Sequence, residues 1–212
     1  MNLLHHWILN SNRWKRTVID EIVPWALAGV ELGNHVLELG PGPGVTTGLL
    51  RQSPAHLTCV EIDPKLADSL RLRFADGNVS VVNADAAALP FPDSSFSGAV
   101  AFTMLHHVPS PRLQDRILAE VWRVLQPGGV FAGTDSRWSL MMPLVHLFDT
   151  MVLVPPETLA DRLQTAGFTA VAVETAKTRF RFHGRKPSCY NQFASYFLKG
   201  SGLSPTVPSG TA

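Results

Sequence analysis

The stretch VLELGPGPGVTTGLL, Val36 to Leu50, places three alternating glycines between a short apolar run and a second run of helical character. Glycine accepts positive φ and lets another molecule approach the main chain, at a cost of about 0.5–1 kcal/mol where it interrupts regular structure. Gly40, Gly42 and Gly44 therefore predict a turn shaped for a ligand, between a strand HVLELG and a helix starting at Val45. An ordinary tight strand-to-helix turn is the competing reading of the glycines taken alone. In a doubly wound fold either turn lies at the carboxyl edge of the sheet, beside the switch point where ligands bind.

The strand–helix pattern then repeats. LTCVEID reads as a strand and PKLADSLRLRF as a helix with Pro64 in its opening turn, where a missing N–H costs least. VSVVNAD and FSGAVAFTML read as strands, PRLQDRILAEVWRVL as an amphipathic helix stopped by QPGG, and VFAGTD as the next strand. Short apolar strands alternating with helices predict an α/β fold, a doubly wound, mostly parallel sheet covered on both faces. Upstream, Asn10 or Ser11 can cap a helix reaching about Leu27, with Pro24 forcing a kink or a second short helix. Downstream, PPETLADRLQTAGF is a helix, and TAVAVETAKTRFRFHGRK offers two alternating runs that predict a C-terminal antiparallel pair.

The 212 residues, 45% hydrophobic, are read as one domain over 1–200. Its expected parts are a helical cap (1–33), a ligand-binding core (34–135), an apolar, partly helical insertion (136–154) and a C-terminal helix with strands (155–186). The small, polar, Pro/Gly-rich ending over 199–212 reads as a disordered tail. A formal charge of +1 gives no basic surplus for nucleic acid. Two cysteines make no disulfide framework, and Cys59, inside an apolar run, reads as core. The opening MNLLHHWILNSNRWKR is too short in its apolar part and wrongly ordered in charge for a signal peptide, and no later run spans a bilayer. The expectation is a cytoplasmic protein without stable membrane insertion.

The dinucleotide fingerprint G-x-G-x-x-G needs a third glycine that this loop lacks at the required spacing. Glu38, just before the loop, sits badly beside a pyrophosphate but well beside an ammonium or sulfonium charge. At this point the chain resembles the class I S-adenosylmethionine-dependent methyltransferases, in their small-molecule, quinone- or lipid-modifying branch. VLELGPGPG is similar to their first motif and VEIDPKL to the second-strand motif; NADAAALPFPDSSFSGAVAFTMLHHV and EVWRVLQPGGVFAGTD are similar to the segments that follow. The likeness covers about Val36 to Asp135. It implies a seven-stranded Rossmann-like methyltransferase fold, S-adenosylmethionine as cofactor and S-adenosylhomocysteine as product.

The resemblance also implies roles. Glu61 would accept from both ribose hydroxyls, although a strand-end acid paired with Lys65 is the plainer alternative. Ile62 would pack on adenine; Asp85 would accept from its amino group, with Ala86 offering a backbone N–H, whereas a turn cap is the plainer use of Asp85. Glu38, costly in an apolar strand unless paired, would link directly or indirectly to the methionine ammonium, or else meet the His35 region or a backbone turn. Thr103 and Met104 would line the methionine arm. One departure is Ser97, where the family often has Asp, at a position usually remote from the transferred methyl.

His106 and His107 are the candidate catalytic residues, since an imidazole titrating near neutrality can take a proton from an acceptor hydroxyl. Adjacent residues point different ways, so the pair predicts no metal site. Asp135 and His146 are weaker candidates for the same task, and Trp14, Trp25 and Trp138 could wall the pocket or belong to the core. The function that follows is direct methyl transfer to a small lipophilic or aromatic acceptor. Alignment of nucleophile, methyl carbon and sulfur accounts for about 7–11 kcal/mol of the barrier. The apolar insertion suggests a hydrophobic cover, or equally a homodimer contact or plain core. The alternatives are an NAD(P)-dependent oxidoreductase on the same architecture and a non-catalytic S-adenosylmethionine-binding protein.

Overall fold

The computed structural model describes residues 11–138 and 151–188. His146, the apolar stretch over 139–150 and the tail over 199–212 lie outside the described residues. Seven strands form one sheet: β1 (His35–Leu39), β2 (His56–Glu61), β3 (Val79–Asn83), β4 (Phe96–Phe102), β5 (Leu125–Ser136), β6 (Thr169–Thr175) and β7 (Arg179–Arg185). Their spatial order is β3-β2-β1-β4-β5-β7-β6. The pairings β1 with β2, β1 with β4, β2 with β3 and β4 with β5 are parallel, whereas β7 runs antiparallel to both β5 and β6. The chain leaves β1 toward one side of the sheet and returns to its other side at β4. The carboxyl edges of β1 and β4 therefore flank the switch point, as the sequence predicts.

Alternation along the strands splits the core in two. Leu37, Leu39, Ala99 and Ala101 face one side, against Ile117, Leu118 and Val121 of α5 (Pro111–Val124) and Leu159 and Leu163 of α6 (Pro156–Thr165). Val36, Val100 and Phe102 face the other, against Val18, Ile22, Val23 and Leu50. Helix α5 starts where Ser110 Oγ accepts from Leu113 N–H at 3.2 Å with Pro111 following, and its buried stripe gains about 1.5–3 kcal/mol per large apolar side chain.

The N-terminal helical segment starts at the Ser11 cap, whose Oγ accepts from Trp14 N–H at 3.2 Å. It runs as α1 (Asn12–Thr17), a π-turn over Val18–Ile22, and α2 (Val23–Ala26). The predicted kink at Pro24 takes this form: Val23 N–H reaches the Val18 carbonyl, a wider ring than the α-helix closes, just before the proline that has no N–H to donate. Strand β5 is longer than VFAGTD. It starts at Leu125 and carries QPGG as an irregularity, its register to β4 jumping from Phe96–Leu125 to Gly98–Val130. The remaining helices are α3 (Val45–Leu50) and α4 (Pro64–Arg73). Among the described residues no helix is long and apolar enough to cross a membrane.

Candidate active site

The glycine loop closes over the carboxyl end of β1. Gly40, Gly42 and Gly44 have φ of 58°, 55° and 77°, all in the left-handed region. A Cβ on Gly44 would lie 2.5 Å from Leu70 Cδ2 and 3.1 Å from the Phe74 ring, both in or just after α4. One on Gly42 would meet nothing within 4 Å, because that residue borders the cavity. The loop is pinned from both ends: Gly40 N–H donates to the Val60 carbonyl at 2.9 Å, and Arg73 Nη1 donates to the Pro43 carbonyl at 2.8 Å.

Glu61, 5% exposed, ends β2 and borders the cavity. Its Oε2 accepts from Gly42 N–H at 3.0 Å and its Oε1 from Asp63 N–H at 3.1 Å. A carboxylate has about four acceptor positions, so the two oxygens keep capacity toward the cavity. Lys65 is not its partner; that residue's backbone N–H, like that of Leu66, donates to Asp63 Oδ1 at the start of α4. Asp85 borders the same cavity and does form the turn, accepting from Ala87 N–H at 2.8 Å through Oδ1.

Glu38 is buried beneath the loop and does not border the cavity. Its oxygens accept from the Thr46 hydroxyl and from the Thr47 hydroxyl at 2.6 Å, with the Cys59 thiol 3.4 Å away. Burial is the main reason its carboxyl titrates above the usual range, the hydroxyls opposing the shift. The Cys59 thiol is pushed far up, first by burial and then by the neighbouring Glu38. Neither His35 nor a backbone turn meets Glu38. Cys59 is buried, as the sequence predicts, whereas Thr46 and Thr47 carry no role in the sequence reading; the signal for them is a pair of threonines in the first turn of α3, close to an acid that requires partners.

The cavity, of about 450 Å³, is bordered by Gly40, Gly42, Glu61, Ile62, Asp85, Ala86, Thr103, Met104 and His107, joined by Trp14 and Val18 from the N-terminal segment. Ile62, 67% exposed, leaves its apolar surface uncovered at this rim. Thr103 has φ 50°, unusual for a β-branched residue, and is held there by its N–H donating to the Thr134 carbonyl at 2.8 Å. Trp25 lies instead under the Arg181 guanidinium at 5.5 Å, and Trp138 is exposed, so the three tryptophans do not share a wall. Ser97 is remote from the cavity and staples the entry to β1: its Oγ accepts from His35 N–H and lies 2.9 Å from the Leu32 carbonyl.

The two histidines part company. His107 borders the cavity, whereas His106 is buried behind it with Nδ1 2.5 Å from Asp135 Oδ1. Asp135 is fully buried and does not border the cavity. Gln114, a polar residue on the buried stripe of α5, bridges the turn carrying the histidines to the chain beyond 150. Its Nε2 donates to the carbonyls of Leu105 at 3.1 Å and Val152 at 2.8 Å. Such a residue is detectable in sequence only as a polar break in an apolar stripe.

A glycine loop, a strand-end acid and a second acid around one cavity at the switch point define the Rossmann-like methyltransferase architecture. The sequence family described as "Methyltransferase domain" matches residues 37–133, so this part of the chain is a methyltransferase domain. Among curated relatives, the chain is 31% identical over 144 residues to the ubiquinone/menaquinone biosynthesis C-methyltransferase UbiE of Vibrio cholerae, covering 65% of this chain and 52% of that protein. It is 27% identical over 199 residues to the chloroplastic 2-methyl-6-phytyl-1,4-hydroquinone methyltransferase 1 of Oryza sativa, covering 89% of this chain and 58% of that one. The chain thus spans about half the length of the curated relatives it matches. The fold is similar to that of an S-adenosylmethionine-dependent methyltransferase from Mesorhizobium loti, with TM-score 0.65, 18% identity, and coverage of 79% of this chain and 100% of that one.

Proposed function

We propose that the chain transfers the methyl group of S-adenosylmethionine to a small lipophilic acceptor of hydroquinone type. The observation that carries the reading is the Glu61 carboxylate, which braces the glycine loop through Gly42 N–H and still faces the cavity shared with Asp85 and Ala86. In this reading Glu61 holds the ribose hydroxyls, Asp85 and Ala86 hold the adenine edge, Ile62 covers its face, and Gly40 to Gly44 with Thr103 receive the methionine arm. Glu38 acts indirectly, by fixing Thr46 at the cavity wall. When bound, the cofactor supplies an electrophilic methyl on a sulfonium and leaves as S-adenosylhomocysteine.

The acceptor lies against Met104, Val108 and Pro109, an apolar flank of the same cavity. His107 takes the proton that the acceptor hydroxyl gives up as a ring carbon attacks the methyl; that carbon then loses its own proton, the hydroxyl oxygen regains one, and the aromatic ring is restored with one proton released. The names of the similar quinone and hydroquinone methyltransferases support that acceptor class. The test is incubation with trideuteromethyl-labelled S-adenosylmethionine and a prenylated hydroquinone lacking its ring methyl. Mass spectrometry is expected to find one labelled methyl on the acceptor, with kcat reduced about 10²–10⁴-fold in His107→Ala. No labelled product from a protein that binds S-adenosylhomocysteine would remove the acceptor class and keep the cofactor site.

A further inference from the structure

Behind the cavity wall, Asp135 gathers three N–H donors. Its Oδ1 accepts from the His106 ring Nδ1 at 2.5 Å and from Ser136 N–H at 2.6 Å, and its Oδ2 accepts from His106 N–H at 3.1 Å. Two of the three donors belong to one residue, gripped through backbone and side chain at once. The His106 carbonyl is also engaged, accepting from Val152 N–H at 2.8 Å. His106 is thus fixed within the 3₁₀ turn Leu105–His107, and that turn is closed by His107 N–H on the Met104 carbonyl at 3.0 Å. The next residue, His107, borders the cavity, its ring centroid 4.1 Å from that of His106 at a 39° tilt.

We infer that Asp135 is a positioning residue for the acceptor side of the cavity, setting through His106 where the His107 imidazole stands. The inference rests on the reading of His107 as the group that meets the acceptor. Asp135 does not reach the cavity, so it acts through the turn and not on the reacting atoms. Its placement follows from the fold: β5 ends at the carboxyl edge, and Asp135 lies opposite Phe180 of β7, fully buried from solvent. A carboxylate suits the task because it only accepts, and three N–H groups point at it. An amide in its place has one oxygen and an NH₂ that faces donors, so at least one of the three bonds is lost.

The experiment pairs backbone hydrogen exchange with kinetics on Asp135→Asn, and on His106→Ala, which keeps the carboxylate and both backbone N–H partners. In Asp135→Asn the amides of His106 and His107 are expected to exchange at least tenfold faster, while the dissociation constant of S-adenosylhomocysteine stays within about threefold. Turnover of the prenylated hydroquinone is expected to fall on the order of 10²-fold, in kcat and not in KM, as displacement of a catalytic group by about 1 Å does. In His106→Ala the amide of residue 106 keeps its protection and kcat still falls, because the ring beside His107 is gone. Wild-type exchange at His106 and His107 in Asp135→Asn overturns the inference whether or not turnover is measurable. So does an intact kcat in both variants. No turnover in the unaltered protein, with faster exchange in Asp135→Asn, contradicts the acceptor reading and leaves the positioning role standing.

Discussion

The carboxyl edges of β1 and β2 and those of β4 and β5 each carry a buried acid, and the two regions use it differently. At β2, Glu61 binds backbone N–H groups two positions on, at Asp63, and nineteen positions back, at Gly42 in the glycine loop, and still faces the cavity. At β5, Asp135 spends its oxygens on protein donors and stays out of the cavity. The first region is a backbone cradle, its shape imposed by positive φ. The second is a run of side chains in contact, held by a partner from a distant strand. A cradle of this kind suits a ligand whose form does not vary, and such a run of side chains can be re-specified for different acceptors without disturbing it.

The sharpest way to break this contrast is Glu61→Ala. It removes the proposed ribose contact and leaves Gly42 N–H and Asp63 N–H without their carboxylate; hydrogen bonds to charged groups are worth about 1.5–3 kcal/mol each. Calorimetry is expected to show the S-adenosylhomocysteine dissociation constant rising on the order of 10²-fold. An unchanged constant would mean that Glu61 only shapes the loop.

A smaller effect tests the cradle's backbone. Gly44→Ala adds a Cβ at φ 77° and pushes it against Leu70 and Phe74, whereas Gly128→Ala meets the same strain at φ 82° with nothing within 4 Å. Strained backbone of this kind costs about 1–3 kcal/mol. Chemical denaturation is expected to show the Gly44 variant losing more stability than the Gly128 variant. Equal losses would mean that α4 yields freely and does not shape the loop.

The smallest effect concerns Glu38. Its carboxyl is raised above the ordinary value of 4.5, chiefly by burial. The neutral form is the one the fold favours, so its contribution is complete below the unfolded value and is lost as pH rises through the folded one. Gln does not titrate, and the Thr46 and Thr47 hydroxyls can donate to its oxygen or accept from its NH₂. The stability of Glu38→Gln relative to the unaltered protein is therefore expected to grow as pH rises above about 4.5, as pH-dependent denaturation can measure. A difference that is flat with pH would place the Glu38 titration at its ordinary value.

The parallel sheet, its antiparallel end and the cradle were legible in the sequence because their signals are local. Apolar runs of strand length, three glycines at spacing two and an acid at a strand end are each read within a few residues. The C-terminal alternation of TAVAVETAKTRFRFHGRK announced β6 and β7 for the same reason. What was not legible depends on pairs remote in sequence. Nothing near His106 points to Asp135, 29 positions on, and the need of Glu38 for partners does not by itself select the two threonines across the loop. The π-turn before Pro24 and the irregular start of β5 were likewise hidden, since each reflects how a neighbouring element closes its hydrogen bonds.

The most direct measurement is the melting temperature of the unaltered protein with S-adenosylmethionine, S-adenosylhomocysteine and NADH in parallel. A ligand that binds the folded state alone adds about 2.7 kcal/mol at a hundredfold excess over its dissociation constant, which for a chain of this size raises the midpoint by roughly 5–10 °C. A rise with the first two ligands and none with NADH is the predicted result. A flat response to both adenosyl ligands, or a rise with NADH alone, would contradict the account of the cradle.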